Sequence, residues 1–189
     1  MNTNKVFKQL LVCNKRQFSS SLYNYTSNTN PHVYLTVSKD GKKLGDLVFQ
    51  LYANHAPQTA ENFLSFATGS NPDKQTYEGT TLNGGYPGLL IQGGKLSECN
   101  LAADGRRLFD ENTTLRHYKR GLLTTKNDGE NANGSEFIIT LDNTDFLDGY
   151  NVIFGELVEG EDVLTEVEKS LSREGHFKNE IKIESSGTR

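Results

Sequence analysis

The chain has 189 residues, with 34% hydrophobic and 23% charged content, and 20 Lys and Arg stand against 24 Asp and Glu. That leaves room for one domain with a real core plus an appendage, and no apolar run reaches the roughly 18 to 20 residues of a membrane-spanning helix. Two cysteines (Cys13, Cys99) and four scattered histidines supply neither a disulfide framework nor a metal-ligand spacing.

Residues 1–30 read as an address rather than a fold element. Lys5, Lys8, Lys15 and Arg16 give this segment +4, with no acid before Asp40. Val6, Phe7, Leu10 and Leu11 share one helical face, and serines follow at Ser19 to Ser21. A basic, acid-free, amphipathic, serine-rich start is the composition of a mitochondrial presequence, and Arg16-Gln17-Phe18 before the serines resembles a processing site. A secretory signal fits worse, because Lys8 interrupts its apolar core and leaves only Gln9 to Cys13. Glycosylation-type triplets at Asn24, Asn112 and Asn133 are short enough to arise by chance. An arm that stays attached would be a handle for another protein subunit.

The body, residues 31–189, keeps 16 basic against 24 acidic residues, a net of −8. Such a surface argues against nucleic acid, where phosphate neutralisation requires clustered Lys and Arg. HVYLTVSKDGKKLGDLVFQLY predicts two strands around a turn at Asp40-Gly41, with alternation through Val33, Leu35, Val37 and Leu47, Phe49, Leu51. In APQTAENFLSFATG, Pro57 suits a first helical turn and Gly69 an end. Short apolar runs follow: GLLIQ, RGLLTT, EFIITL and YNVIFGELV. A second helix is predicted across EDVLTEVEKSLS, with Val163, Leu164, Val167 and Leu171 at helical spacing, and EIKIE (180–184) should complete the sheet. Many short strands, two helices and no repeat point to a β-barrel or sandwich with helical caps.

NGGYPGLLIQGG, residues 83–94, holds five glycines. A phosphate loop needs G-x-x-x-x-G-K-[ST] opening a helix; here Gly94 takes the lysine position and Leu89 to Ile91 reads as strand. The order of strings around it carries more. GDLVFQLYANHAPQTAENF, YEGTTLNGGYPGLLIQGG, LFDENTTLRH and NGSEFIITLDNTDFLDGYNVIFGELVEG, in that succession, resemble the cyclophilins, over roughly Val33 to Ile183. The resemblance implies a mainly β fold: an eight-stranded antiparallel closed barrel capped by two helices, with peptidyl-prolyl cis-trans isomerase activity, proline-containing peptides as ligands, and no cofactor or metal.

The resemblance also implies where the chemistry should sit, and there the chain departs from the pattern. The family's F-H-R-[IV]-[IV]-P-G-F-[ML]-x-Q-G-G becomes LNGGYPGLLIQGG, so Asn83 replaces the histidine and Gly84 the arginine that donates toward the prolyl nitrogen. Leu89, Leu90 and Ile138 take positions of pocket phenylalanine and methionine residues, Phe146 that of a tryptophan, Glu136 that of a glutamine and Asn151 that of a histidine. Lys126 and Asp128 replace alanines around Asn127. Gln92, Asn127 and Leu147 keep the family residue, as do scaffold positions such as Pro57, Tyr77, Asp110 and Gly155. The expected substrate-binding set is therefore a vestigial pocket of Gln92, Asn127, Leu147, Leu89, Leu90, Ile138 and Phe146, with no catalytic residue. Gln92 reads as a residue that satisfies the barrel wall, and Glu136 as either paired with Lys126 or facing solvent. Arg106 and Arg107 are the nearest bases in sequence that could replace the lost guanidinium.

These readings predict a catalytically impaired member of the family, serving as a structural or binding accessory subunit of a mitochondrial assembly, with the respiratory chain or ATP synthase favoured. The alternatives are a slow but active isomerase of the mitochondrial matrix, and a peptide-docking module without turnover.

Overall fold

The computed structural model describes residues 30–97 and 100–189. The presequence-like arm, apart from Asn30, lies outside the described residues, as does Cys99.

Strand β1 (His32–Lys39) turns at Asp40-Gly41 into β2 (Lys42–Leu51), with Lys39 opposite Lys42. Both turn residues have positive φ (49° and 76°), the backbone that makes Asp-Gly a tight hairpin connection. Helix α1 (Pro57–Thr68) starts on Pro57 and stops at Gly69, whose left-handed backbone lets its N–H reach Ser65 O. Strands β3 (Gly84–Tyr86), β4 (Leu90–Gly93), β5 (Leu122–Asn127) and β6 (Asn133–Thr140) follow. One turn of 3-10 helix (Asp145–Leu147) precedes β7 (Ile153–Glu159), α2 (Glu161–Lys169) and β8 (Ile181–Thr188). The predicted second helix ends before Ser170, and Leu171 instead bridges to Phe177. The closing strand runs past the predicted 184 to Thr188.

The sheet order is β3-β4-β6-β5-β7-β2-β1-β8, and every described strand pairing is antiparallel. The sheet curls until the lead-in to β3 meets β8: Gly79 N and Leu82 N donate to Ile183 O and Ile181 O (2.7 and 2.9 Å), and Ile183 N donates to Thr80 O (2.8 Å). Thus the mainly β, helix-capped barrel expected from the sequence is the observed architecture.

Alternation along the strands sends Val33, Leu35, Phe49, Ile91, Leu123, Phe137 and Ile139 into the interior. Phe63 on α1 closes one end of the barrel, its ring 5.0, 5.4 and 5.2 Å from those of Tyr77, Phe137 and Phe154. The Tyr77 hydroxyl, fully buried, donates to Ser135 O (2.8 Å), which meets the hydrogen-bond demand of a polar atom in the core. Arg120, at the entry to β5, clamps α2 against the sheet by pairing with Glu161 and with Glu168 (2.6 Å), and by donating to Leu141 O (3.2 Å).

Candidate functional site

The same alternation that fills the barrel leaves a second row of residues on its outer face. Register places Gly84 opposite Gln92, Gln92 opposite Ile138, Ile138 opposite Thr124, and Thr124 opposite Ile153. The row therefore crosses β3, β4, β6, β5 and β7, and joins residues up to 69 positions apart. Leu90 and Glu136 lie two residues from Gln92 and Ile138 on the same face. Leu90 and Ile138 are only 3% and 4% exposed, yet both stand outside the central core cluster. They form a thin apolar floor. Leu89 is exposed at the β3–β4 turn, where its carbonyl accepts from Leu141 N (2.7 Å).

One flank of this floor is the segment around the 3-10 turn, which carries Phe146 and Leu147. Asn151 Nδ2 donates to Thr125 O, and Asn127 Nδ2 to Tyr150 O, both at 2.7 Å, so the segment is pinned along β5. Phe146 is 56% exposed and Leu147 is half-buried. Behind the floor, buried His117 spans Asp148 and Thr124: Nδ1 lies 2.8 Å from Asp148 Oδ1, and Nε2 lies 3.1 Å from Thr124 Oγ1. Burial lowers the His117 pKa despite the neighbouring carboxylate. The neutral ring with Nδ1–H toward Asp148 meets the first contact, and Thr124 Oγ1 itself donates to Val152 O (3.0 Å).

Gly84 is where the structure goes beyond a missing side chain. Its φ is +130° and that of Gly85 is +159°, the first a backbone that L-residues rarely adopt. A Cβ built on Gly84 would overlap the carbonyl oxygen of Gly175, and one on Gly175 would lie 2.6 Å from Gly85 O. Gly85 N donates to Gly175 O at 3.0 Å. The loop between α2 and β8 thus packs backbone to backbone on β3, a closeness that only glycines on both sides allow. Nothing local in NGGYPGLLIQGG announces a partner 91 residues away; the Gly175 of SREGH was the signal, unreadable without the fold.

The cations nearest Asn127 and in the loop before Leu108 are paired. Lys126, carried at a register shift in β5, pairs with Glu136 at 2.6 Å, with side chains 28% and 8% exposed. Of the two readings of Glu136, the ion pair is the one observed. Arg106 bonds Asp104 through Nε and a terminal nitrogen (2.8 and 2.6 Å), and Arg107 pairs with Asp128 (3.6 Å). Arg106 is committed within the loop before Leu108 and Arg107 to Asp128 just past β5, so the idea that they stand in for the arginine finds no support. Gln92 also departs from expectation. It is half-buried, and its carboxamide makes no hydrogen bond among the described residues, so it does not satisfy the barrel wall.

Among the described residues no group of three or more His, Cys, Asp or Glu could hold a metal ion, and no helix is long and apolar enough to cross a membrane. What the site offers is an apolar floor with neutral amide groups at Gln92 and Asn127; at the Gly84 end, exposed Arg173 and Lys178 flank Gly175 in the loop that packs on β3, and neither side chain is held in an ion pair among the described residues. A family model for cyclophilin type peptidyl-prolyl cis-trans isomerase/CLD matches residues 32–188, which spans every element described above.

Proposed function

We propose that this chain, which belongs to the cyclophilin type peptidyl-prolyl cis-trans isomerase family, holds proline-containing protein segments without turning their peptide bond. Amide rotation at proline takes tens of seconds unaided. Accelerating it on this fold relies on a cationic donor aimed at the prolyl nitrogen, as the family resemblance implies. Removing one such preorganised donor costs about 3 to 4 kcal/mol, or about 10²- to 10³-fold in rate. The observation that carries the reading is the backbone seam at Gly84: the direction a side chain would take there is filled by Gly175. A proline ring would rest on exposed Leu89 and Phe146, with the nearly buried Leu90 and Ile138 beneath. Exchange spectroscopy on a proline peptide tests the reading directly. Line broadening on binding, without enhanced cis-trans exchange, is expected; exchange at rates usual for the family would overturn it.

The role that fits such a domain is an accessory subunit of a mitochondrial assembly, in the respiratory chain or ATP synthase. Support comes from the basic, acid-free composition of residues 1–30 and the −8 body. Organelle import of the full-length chain, followed by intact-mass measurement and native electrophoresis, checks both halves. Cytosolic retention refutes the location, and migration as a free monomer refutes the subunit role.

One observation favours a second reading, a slow isomerase. The unspent carboxamide of Gln92 stands directly opposite Gly84 and is a neutral donor at the right edge of the floor. If residual exchange exists, Gln92→Ala should abolish it; exchange that survives this change is not chemistry of this groove.

A further inference from the structure

Beyond Asn127, at the β5 end of the groove, the surface opens into a cavity of about 420 Å³. Asp110, Thr113, Asn127, Glu130, Asn131 and Tyr150 line it together with two glycines, and none of its lining residues is basic. The volume is that of a small-ligand or side-chain pocket rather than an ion site.

The charges around this cavity do not cancel. Of the cations nearest in sequence, Lys126 pairs with Glu136 (2.6 Å) and Arg107 with Asp128 (3.6 Å), while Arg116 acts on Asp148 and does not line the cavity. The two carboxylates that line the cavity, Asp110 and Glu130, are each without an ion pair among the described residues. Asp110 is locked in place. Its Oδ2 accepts from Asn131 N (2.8 Å) and its Oδ1 from Asn133 Nδ2 (2.7 Å), neutral donors that orient the anion without neutralising it. Behind it, Asn133 is 1% exposed, and its Oδ1 has no partner among the described residues. The Glu130 carboxylate makes no bond among the described residues. Tyr150, 72% exposed, lines the cavity, and its carbonyl accepts from Asn127 Nδ2 (2.7 Å).

Two uncompensated carboxylates and an aromatic face around a side-chain-sized space recognise an organic cation. A metal ion would need more ligating groups than gather here, since no cluster of three exists among the described residues. We propose that this cavity seats a lysine or arginine side chain of the same segment whose proline lies on the floor, so that basic, proline-containing sequences are the preferred partners. Asn127 is the shared wall between groove and cavity, so one extended chain can fill both. The inference rests on the reading that the groove holds a proline segment.

The test is a fluorescence-anisotropy titration of the full-length protein with labelled peptides. A single proline is set in alanine and serine, and arginine is placed in turn at each of the three positions on either side. At one position arginine should tighten binding about tenfold over alanine, and glutamate there should weaken it. The gain should fall off at raised salt, and Glu130→Gln and Tyr150→Ala should each remove most of it while leaving the all-alanine peptide unchanged. Both residues are exposed and outside the groove floor, so the fold should survive the changes. If the alanine peptide binds and no arginine position improves on it, or if the gain survives Glu130→Gln, the cavity assignment is wrong while the groove reading stands. If no peptide binds at all, both fall.

Discussion

Replacing Gly84 by arginine would place there the residue that the family resemblance implies, and the packing around Gly84 opposes the change. A non-glycine residue at φ +130° carries backbone strain of about 1 to 3 kcal/mol. The new Cβ must also displace the Gly175 carbonyl, which endangers the hydrogen bond from Gly85 N to that oxygen (3.0 Å), worth about 0.5 to 1.5 kcal/mol net. Together these amount to about 2 to 4 kcal/mol. For a domain of this size that lowers Tm by about 5 to 15 °C. Gly84→Ala separates the two ideas in one comparison, because it adds the Cβ without the guanidinium and should lose nearly as much. Calorimetric melting gives the stability, and exchange spectroscopy on a proline peptide gives the activity. The reasoning is refuted if Gly84→Arg melts within about 2 °C of the parent, or if it isomerises proline at rates usual for the family. Either result would mean that the seam opens readily and the position was merely vacant.

Three further outcomes are expected. Lys126→Ala strands the nearly buried Glu136 carboxylate and should cost about 2 to 3 kcal/mol, whereas Glu136→Gln frees a lysine that can turn to solvent and should cost under about 1 kcal/mol; urea denaturation of both singles and the double mutant measures the asymmetry. Arg120→Ala should cost about 1 to 2 kcal/mol, and it should also hasten amide exchange at Gly88, whose N–H is held by Glu168 (3.2 Å), the carboxylate that Arg120 grips. Acid should weaken the fold through His117. Burial holds its pKa below the usual 6.5, so the unfolded chain binds a proton that the native chain refuses. Stability is then full above about pH 7 and falls as pH drops toward the native pKa, by up to about 1.4 kcal/mol per pH unit. Asp148, its pKa lowered chiefly by the bond from His117 N, acts in the same direction but only below its ordinary 3.8. Denaturation midpoints at pH 7.5 and 5.5 should therefore differ less in His117→Asn than in the parent.

What could be read from the chain, and what could not, divides along one physical line. Alternation of two, the Asp40-Gly41 turn, Pro57 and Gly69 are local signals, and the elements they predict are present. Strand β3 was not legible, because two of its three residues are glycines with no strand preference of their own; its pairing with β4 is what makes it a strand. The loss of the arginine at Gly84 was legible because absence needs no partner. The reason the loss is hard to reverse was not, because it resides in Gly175, which reaches β3 only after α2 has docked and the chain has turned back toward β8. The Lys126–Glu136 pair stands between these cases: ten residues apart on neighbouring strands, it was one of two readings, and the register shift in β5 decides for it. The cavity walled by Asp110, Glu130 and Tyr150 comes from three separate loops and had no sequence signature at all. This distribution itself bears on function. Simple decay of an active site would replace side chains and leave the backbone as it was. Here the carbonyl of Gly175, 91 residues away, occupies the direction a side chain at Gly84 would take. The Gly84 end of the groove is thus built for close packing, while the Asn127 end keeps an open, charged cavity. On the function proposed above, such a domain would grip a chain at the Asn127 end and have little with which to twist it at the Gly84 end.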